Sequence, residues 1–263
     1  MMNAMNLQPI PQRRVLDKLD RLLAEGDLAA AERHLLYWMD EAVAAADLSG
    51  QLTLANELIG HYRKSGHRDE ALFWADRALS LVDGMQLSGT RSAGTAYINA
   101  ATACSAFGDA ERALSLFEKA RSAYENADNV PHHLLGSLYN NMAVCCGDLH
   151  RWDEANTLFD RAMDEMALVP GGKLEQAITC LNRADLVAAE FGTLEGETRI
   201  NDLLAQAQEL LADPDTPRNE YYAFVCEKCI PGFSYYGWFE ETENLKKEVE
   251  AIHERIGAVP GIL

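Results

Sequence analysis

Apolar residues recur along most of this chain at helical spacing, in paired stripes separated by short polar breaks. Between residues 93 and 107, Tyr97, Ala100, Ala101 and Cys104 fall at i, i+3, i+4 and i+7, which lines up one face of an α-helix. Gly108-Asp109 then interrupts the pattern, because glycine accepts the left-handed conformation wanted at a helix end. A second helix is predicted over 110–125, with Ala113, Leu116, Phe117 and Ala120 as its buried stripe. Small side chains at 113 and 120 let two helix backbones approach closely, and Phe117 fills the space between pairs.

The pair recurs at a step of 42 residues. Gly66, Ala71 and Ala78 return as Gly108, Ala113 and Ala120, then as His150, Ala155 and Ala162. Thr53, Thr95, Ser137 and Thr179 keep that step, as do Asn99 with Asn141 and Asn140 with Asn182. Self-similarity at a fixed period marks stacked supersecondary units, each burying its apolar face on its neighbours. Five units are predicted, at 14–46, 52–83, 94–126, 136–166 and 178–212. The fourth 42-residue unit keeps Leu181, Ala184, Ala188 and Gly192 but has Glu197 where alanine belongs, so its second helix is expected in a shifted register. Residues 218–257, rich in aromatic side chains and then in charge, are expected to form a sixth, capping helix pair, kinked at Pro231-Gly232. Residues 1–13 and 258–263 are expected to be tails. The fold class is all-α: an α-α superhelix of about six helix-turn-helix units.

Composition narrows the partners. The 263 residues hold 23 Lys and Arg against 41 Asp and Glu, a net charge of −18 that would repel nucleic acid and anionic lipid. No signal peptide and no long apolar run is evident, and six cysteines in a chain of this length do not make a disulfide framework. A cytoplasmic protein with reduced thiols is expected.

The Gly–x4–Ala–x6–Ala spacing, carried best by Tyr97, Gly108, Ala113, Phe117 and Ala120, resembles the tetratricopeptide repeat (TPR). The usual unit has about 34 residues. The longer step, with Tyr139-Asn140-Asn141-Met142-Ala143 in the first helix, is similar to the variety in kinesin light chains, the extra residues adding about two helical turns per pair. The resemblance covers 14–212 and, more loosely, 219–257. Departures are the missing proline at the unit end, His150 for glycine and Glu197 for alanine.

That resemblance implies that the first helix of each unit lines a concave groove whose polar stripe binds peptides. The stripe comprises Asn56, Arg63 and Lys64, then Thr95 and Asn99, then Ser137, Asn140 and Asn141, then Thr179, Asn182 and Arg183. An asparagine amide offers a donor and an acceptor, matching a peptide group of an extended ligand; the competing use is to bond neighbouring helices. Arg63, Lys64 and Arg183 suit carboxylates of a ligand, or are solvated charges. Glu57, Asp148 and Glu190 share the face, leaving the partner's charge open.

Other chemistry is sparse. Cys226-Glu227-Lys228-Cys229 has neither a second CxxC nor paired histidines to complete a metal site, so structural thiols are expected and no metal or cofactor. His132-His133 is expected exposed in a turn after Pro131. No phosphate-binding, nucleophile-elbow, zinc-protease or dinucleotide signature occurs. The expected function is a non-enzymatic protein- or peptide-binding adaptor or scaffold. The alternative, a peptide-responsive regulatory or sensor module, needs an output segment for which residues 1–13 are too few. The C-terminal aromatic cluster is read as the core of the cap, or as a patch for self-association or for a partner helix.

Overall fold

The computed structural model describes residues 8–127 and 129–257, which form twelve α-helices and no strand. Helix starts follow from capping chemistry. Asp27, Asp47, Thr90, Asp109 and Asn219 each accept, through the side chain, the backbone N–H three residues on, satisfying a donor that a helix start leaves unpaired. Helix ends follow from left-handed residues. At Gly108 (φ +82°) the chain reverses with Gly108 N–H on Ser105 O at 3.0 Å and Asp109 N–H on Cys104 O at 2.9 Å. His150 makes the same reversal at φ +58°, its N–H on Gly147 O at 2.9 Å and Arg151 N–H on Cys146 O at 2.8 Å. Repeat geometry thus holds at a position where a side chain is disfavoured by about 1–2 kcal/mol.

The helices group into two compact units that divide after Val130. The first holds α1 (Gln12–Ala24), α2 (Leu28–Ala44), α3 (Leu48–Lys64), α4 (Arg68–Gly84), α5 (Arg91–Ala106) and α6 (Ala110–Glu125). The second holds α7 (His132–Asp148), α8 (Trp152–Ala167), α9 (Lys173–Phe191), α10 (Glu197–Leu211), α11 (Glu220–Tyr235) and α12 (Phe239–Gly257). In each unit consecutive helices pair as hairpins, and the first helix of a hairpin also meets that of the next: α3 lies against α5, α7 against α9, and α9 against α11. No described helix is long and apolar enough to cross a membrane.

Packing explains the small residues. Ala71, Ala78, Ala113, Ala120, Ala155 and Ala162 are all fully buried, with Phe117 and Phe159 filling the same place 42 residues apart. Gly94 and Gly136 are sockets. A Cβ on Gly94 would stand 2.2 Å from Tyr124 Cε1, and one on Gly136 would stand 2.8 Å from Met166 Cγ.

The fourth 42-residue unit is shifted, and its register can be stated. Glu197 opens α10 and is exposed; Ile200 (3% exposed) and Ala207 (0%) take the buried places, 45 residues beyond Ala155 and Ala162. The cause is length: α9 ends one residue later than the period implies, and the turn at 192–196 is two residues longer than that at 149–151. From Ile200 on, Leu203, Leu204, Ala207 and Leu211 repeat the stripe of Leu158, Phe159, Ala162 and Met166. In the capping pair the aromatic residues divide. Tyr222 and Phe233 are buried with Leu181, Leu204, Leu245 and Ile252. Tyr221, Phe224, Tyr235 and Phe239 are exposed, Tyr235 at 73%.

Two expectations change. Residues 8–13 are not a tail: Ile10 is 8% exposed, its N–H donates to Asp47 Oδ2 at 3.0 Å, and Gln12 already opens α1. Met1 to Leu7, and the expected tail at 258–263, lie outside the described residues. His132-His133, although exposed, are the first residues of α7 rather than part of a turn, since Pro131 supplies a fixed φ at the helix start. Pro231 lies within α11 on its exposed side, and the helix runs on to Tyr235.

Candidate functional site

The polar stripe of the first helices is present in both units, but much of it is engaged. In the first unit Asn99 Nδ2 donates to Asn56 Oδ1 at 3.0 Å, joining α5 to α3, while Asn56 Nδ2 donates to Leu52 O at 3.1 Å. In the second unit Asn182 Nδ2 donates to Asn140 Oδ1 at 3.1 Å, joining α9 to α7. Each bond contributes about 0.5–1.5 kcal/mol net, and all four side chains are half-buried. The ladder therefore braces neighbouring helices, while Asn140's amide hydrogens and the carbonyl oxygens of Asn99 and Asn182 have no partner among the described residues. Ser137 and Asn141, half-buried on α7, make no side-chain hydrogen bond among the described residues.

The other expected residues scatter. Thr179 is 2% exposed, and its hydroxyl donates to Glu175 O at 3.0 Å, so it is withdrawn from the surface. Thr95 is exposed, its hydroxyl bonded back to Arg91 O at 3.2 Å. Arg183 turns toward α8, where Nη1 meets Asp160 Oδ1 at 2.7 Å and Nε meets Asn156 Oδ1 at 3.3 Å. One position beyond Asn182 is about 100° around a helix, so these two adjacent residues serve different faces. Arg63 is half-buried with no ion pair among the described residues, and burial lowers its pKa. Lys64 is exposed and attracts Glu57, whose carboxyl is nevertheless raised above the ordinary range by burial and then by Asp20.

In the second unit the same face opens into a cavity of about 380 Å³ between α7, the start of α8, and α9. Val144, Phe159, Leu186 and Ala189 give it apolar walls, and Asn182 reaches it from the ladder. Gly147 admits Leu186, whose Cδ1 would lie 2.8 Å from any Cβ placed there. His150 and Trp152, with ring centroids 5.0 Å apart, stand on its α8 side. Its charges are Asp148 and Asp185. Asp148 is the last residue of α7, where a negative charge adds to the partial negative charge of the helix end. Partial burial pushes its carboxyl above the ordinary range, with His150 pulling it down. Asp185 Oδ1 accepts from the Tyr236 hydroxyl at 2.7 Å; burial raises this carboxyl and the hydrogen bond opposes it.

The sequence pattern places Asp148 on this face but does not single out Asp185, Trp152 or Leu186. Asp185 sits 42 residues after the buried Ala143, so the period that reveals the repeat conceals the carboxylate. The four-residue step from Leu181 and the three-residue step from Asn182 are the available signal.

The cysteines are buried throughout. Burial pushes Cys226 up to about 11 and Cys229 higher still, which keeps both protonated near neutrality.

Among solved structures the chain is similar to BtubC (BKLC) from P. vanneervenii, at 19% identity and a TM-score of 0.64 over 79% of this chain and 84% of that one. It is also similar to a putative kinesin light chain from Podosopora anserina with nearly identical TPR-like repeats, at 16% identity and a TM-score of 0.53 over 79% of this chain and 97% of that one. A variant form of that protein gives 16% identity and a TM-score of 0.54, over 79% and 96%. No protein-family profile matches the sequence, and no curated protein does. The fold is that of a TPR-like helical repeat, with kinesin-light-chain-like arrays among its neighbours.

Proposed function

We propose that this chain is a non-enzymatic, cytoplasmic adaptor or scaffold that binds a protein or peptide segment along the polar face of its first helices. The observation that carries the reading is the half-used asparagine ladder. Asn99, Asn140 and Asn182 are held in place by one hydrogen bond each and keep further donors or acceptors for a ligand backbone. A side chain already fixed by its neighbour loses little further freedom on binding, which favours affinity. The repeat fold and the six buried thiols accord with this role and compartment. The exposed Tyr221, Phe224, Tyr235 and Phe239 are proposed as a surface for self-association.

The test separates bracing from binding. Asn99→Ala breaks the bond to Asn56 and should lower thermal stability. Asn141→Ala breaks no bond among the described residues and should leave stability unchanged. With a partner captured from native lysate and then titrated as purified protein, both substitutions should weaken binding, by about 0.5–1.5 kcal/mol for each hydrogen bond lost. Affinity that survives both substitutions would show that the ladder serves packing alone.

A further inference from the structure

We infer that the cavity between α7, α8 and α9 is a subsite for a cationic side chain, lysine or arginine, of the bound segment; the inference rests on the peptide-binding proposal above. Its volume of about 380 Å³ is at the small end of ligand sites, large enough for one long side chain and too small for a helix. Val144, Leu186 and Ala189 offer a wall for a methylene stem, and Asp148 and Asp185 offer two carboxylates for its head. The Trp152 ring on the α8 side adds a π face, the surface on which guanidinium and ammonium groups settle.

Four observations favour a cation over an acidic or apolar occupant. No Lys or Arg lines the cavity among the described residues. Nearby Arg183 and Arg151 are already paired with Asp160 and Glu154. The unit as a whole is strongly acidic: residues 131–263 carry 10 Lys and Arg against 23 Asp and Glu, a net of −13, which leaves −5 for the rest of the chain. Asp148 also has no hydrogen bond among the described residues and stands at the end of a helix that repels it, so a cationic partner would relieve a local electrostatic cost. A glutamate-bearing segment would meet two carboxylates and the α7 carbonyl end together.

The experiment is selection of a random peptide library displayed on phage against the full-length protein. Enriched peptides are then titrated individually against the parent and against Asp148→Asn with Asp185→Asn, whose folding is checked by circular dichroism. Selected peptides should share a Lys or Arg. They should lose at least about tenfold in affinity to the double variant, the loss of one charge-assisted hydrogen bond, and lose comparably when that residue is replaced by norleucine. Their binding should also shift the Trp152 indole resonance. Enriched peptides without a basic residue, or basic peptides that bind the variant equally or leave Trp152 unmoved, would overturn the subsite and leave the peptide-binding proposal standing. Failure to enrich any peptide would overturn both.

Discussion

Replacing Gly94 by alanine should destabilise the α5–α6 hairpin, although alanine is the better helix former. In an open helix the change is worth about 1 kcal/mol in alanine's favour. Here the new Cβ would lie 2.2 Å from Tyr124 Cε1 and 2.6 Å from Cδ1, well inside carbon–carbon contact at about 3.5–4.0 Å. Tyr124 is buried, and its rigid ring cannot yield by a rotation of its far end. With contacts this short, overpacking falls in the upper part of its range of about 1–3 kcal/mol, so after alanine's gain of about 1 kcal/mol a net loss of about 1–2 kcal/mol is expected. The same substitution in a Tyr124→Val background, where the ring is gone, should instead gain up to about 1 kcal/mol. Urea midpoints, with native-state amide exchange on α5 and α6, measure each corner of this cycle. A neutral or stabilising effect in the parent chain would refute the socket, and an equal loss in the valine background would locate the strain elsewhere.

Asp148→Asn should raise stability at neutral pH. Its folded-state carboxyl titrates above the ordinary value, so the folded chain binds that proton more readily than the unfolded chain, and stability falls as pH rises through the interval just above the ordinary aspartate range. The difference in melting temperature between variant and parent should be near zero in acid and grow in the variant's favour above that interval; a constant or reversed difference would contradict the assignment. His150→Gly should stabilise by about 1 kcal/mol by relieving a left-handed side-chain residue, read from thermal melts; destabilisation would show that the ring's contact with Trp152 outweighs the backbone cost. Cys226, at about 11, should react with iodoacetamide at neutral pH at least about a hundredfold more slowly than a free thiol of pKa about 8.5, as followed by mass spectrometry, and reaction at the free-thiol rate would contradict its burial.

The helix pairs and their buried alanines are legible because period 3.6 and period 42 coincide at Ala71, Ala113 and Ala155, where close backbone approach leaves no choice of residue. The register of α10 is only half legible. Glu197 announces a shift, but its size depends on a turn whose length no apolar stripe records. On the polar face the asparagines stand out in the sequence, whereas their partners do not: Asn56 pairs with Asn99 at a step of 43, one residue off the period, which a fixed-step comparison misses. Arg183 groups with Asn182 because both are polar and adjacent, yet Asp160 on α8 decides where its guanidinium points. The cavity is hidden for the same reason, since its carboxylates come from two helices and are related by no repeat.

The longer turn at 192–196 has an implication for engineering. The chain has accepted three additional positions around it, and the alanine and leucine rows resume downstream as though nothing had been inserted. Such a bend is a splice point: an epitope or reporter peptide grafted there would extend outward while the flanking coils keep their partners.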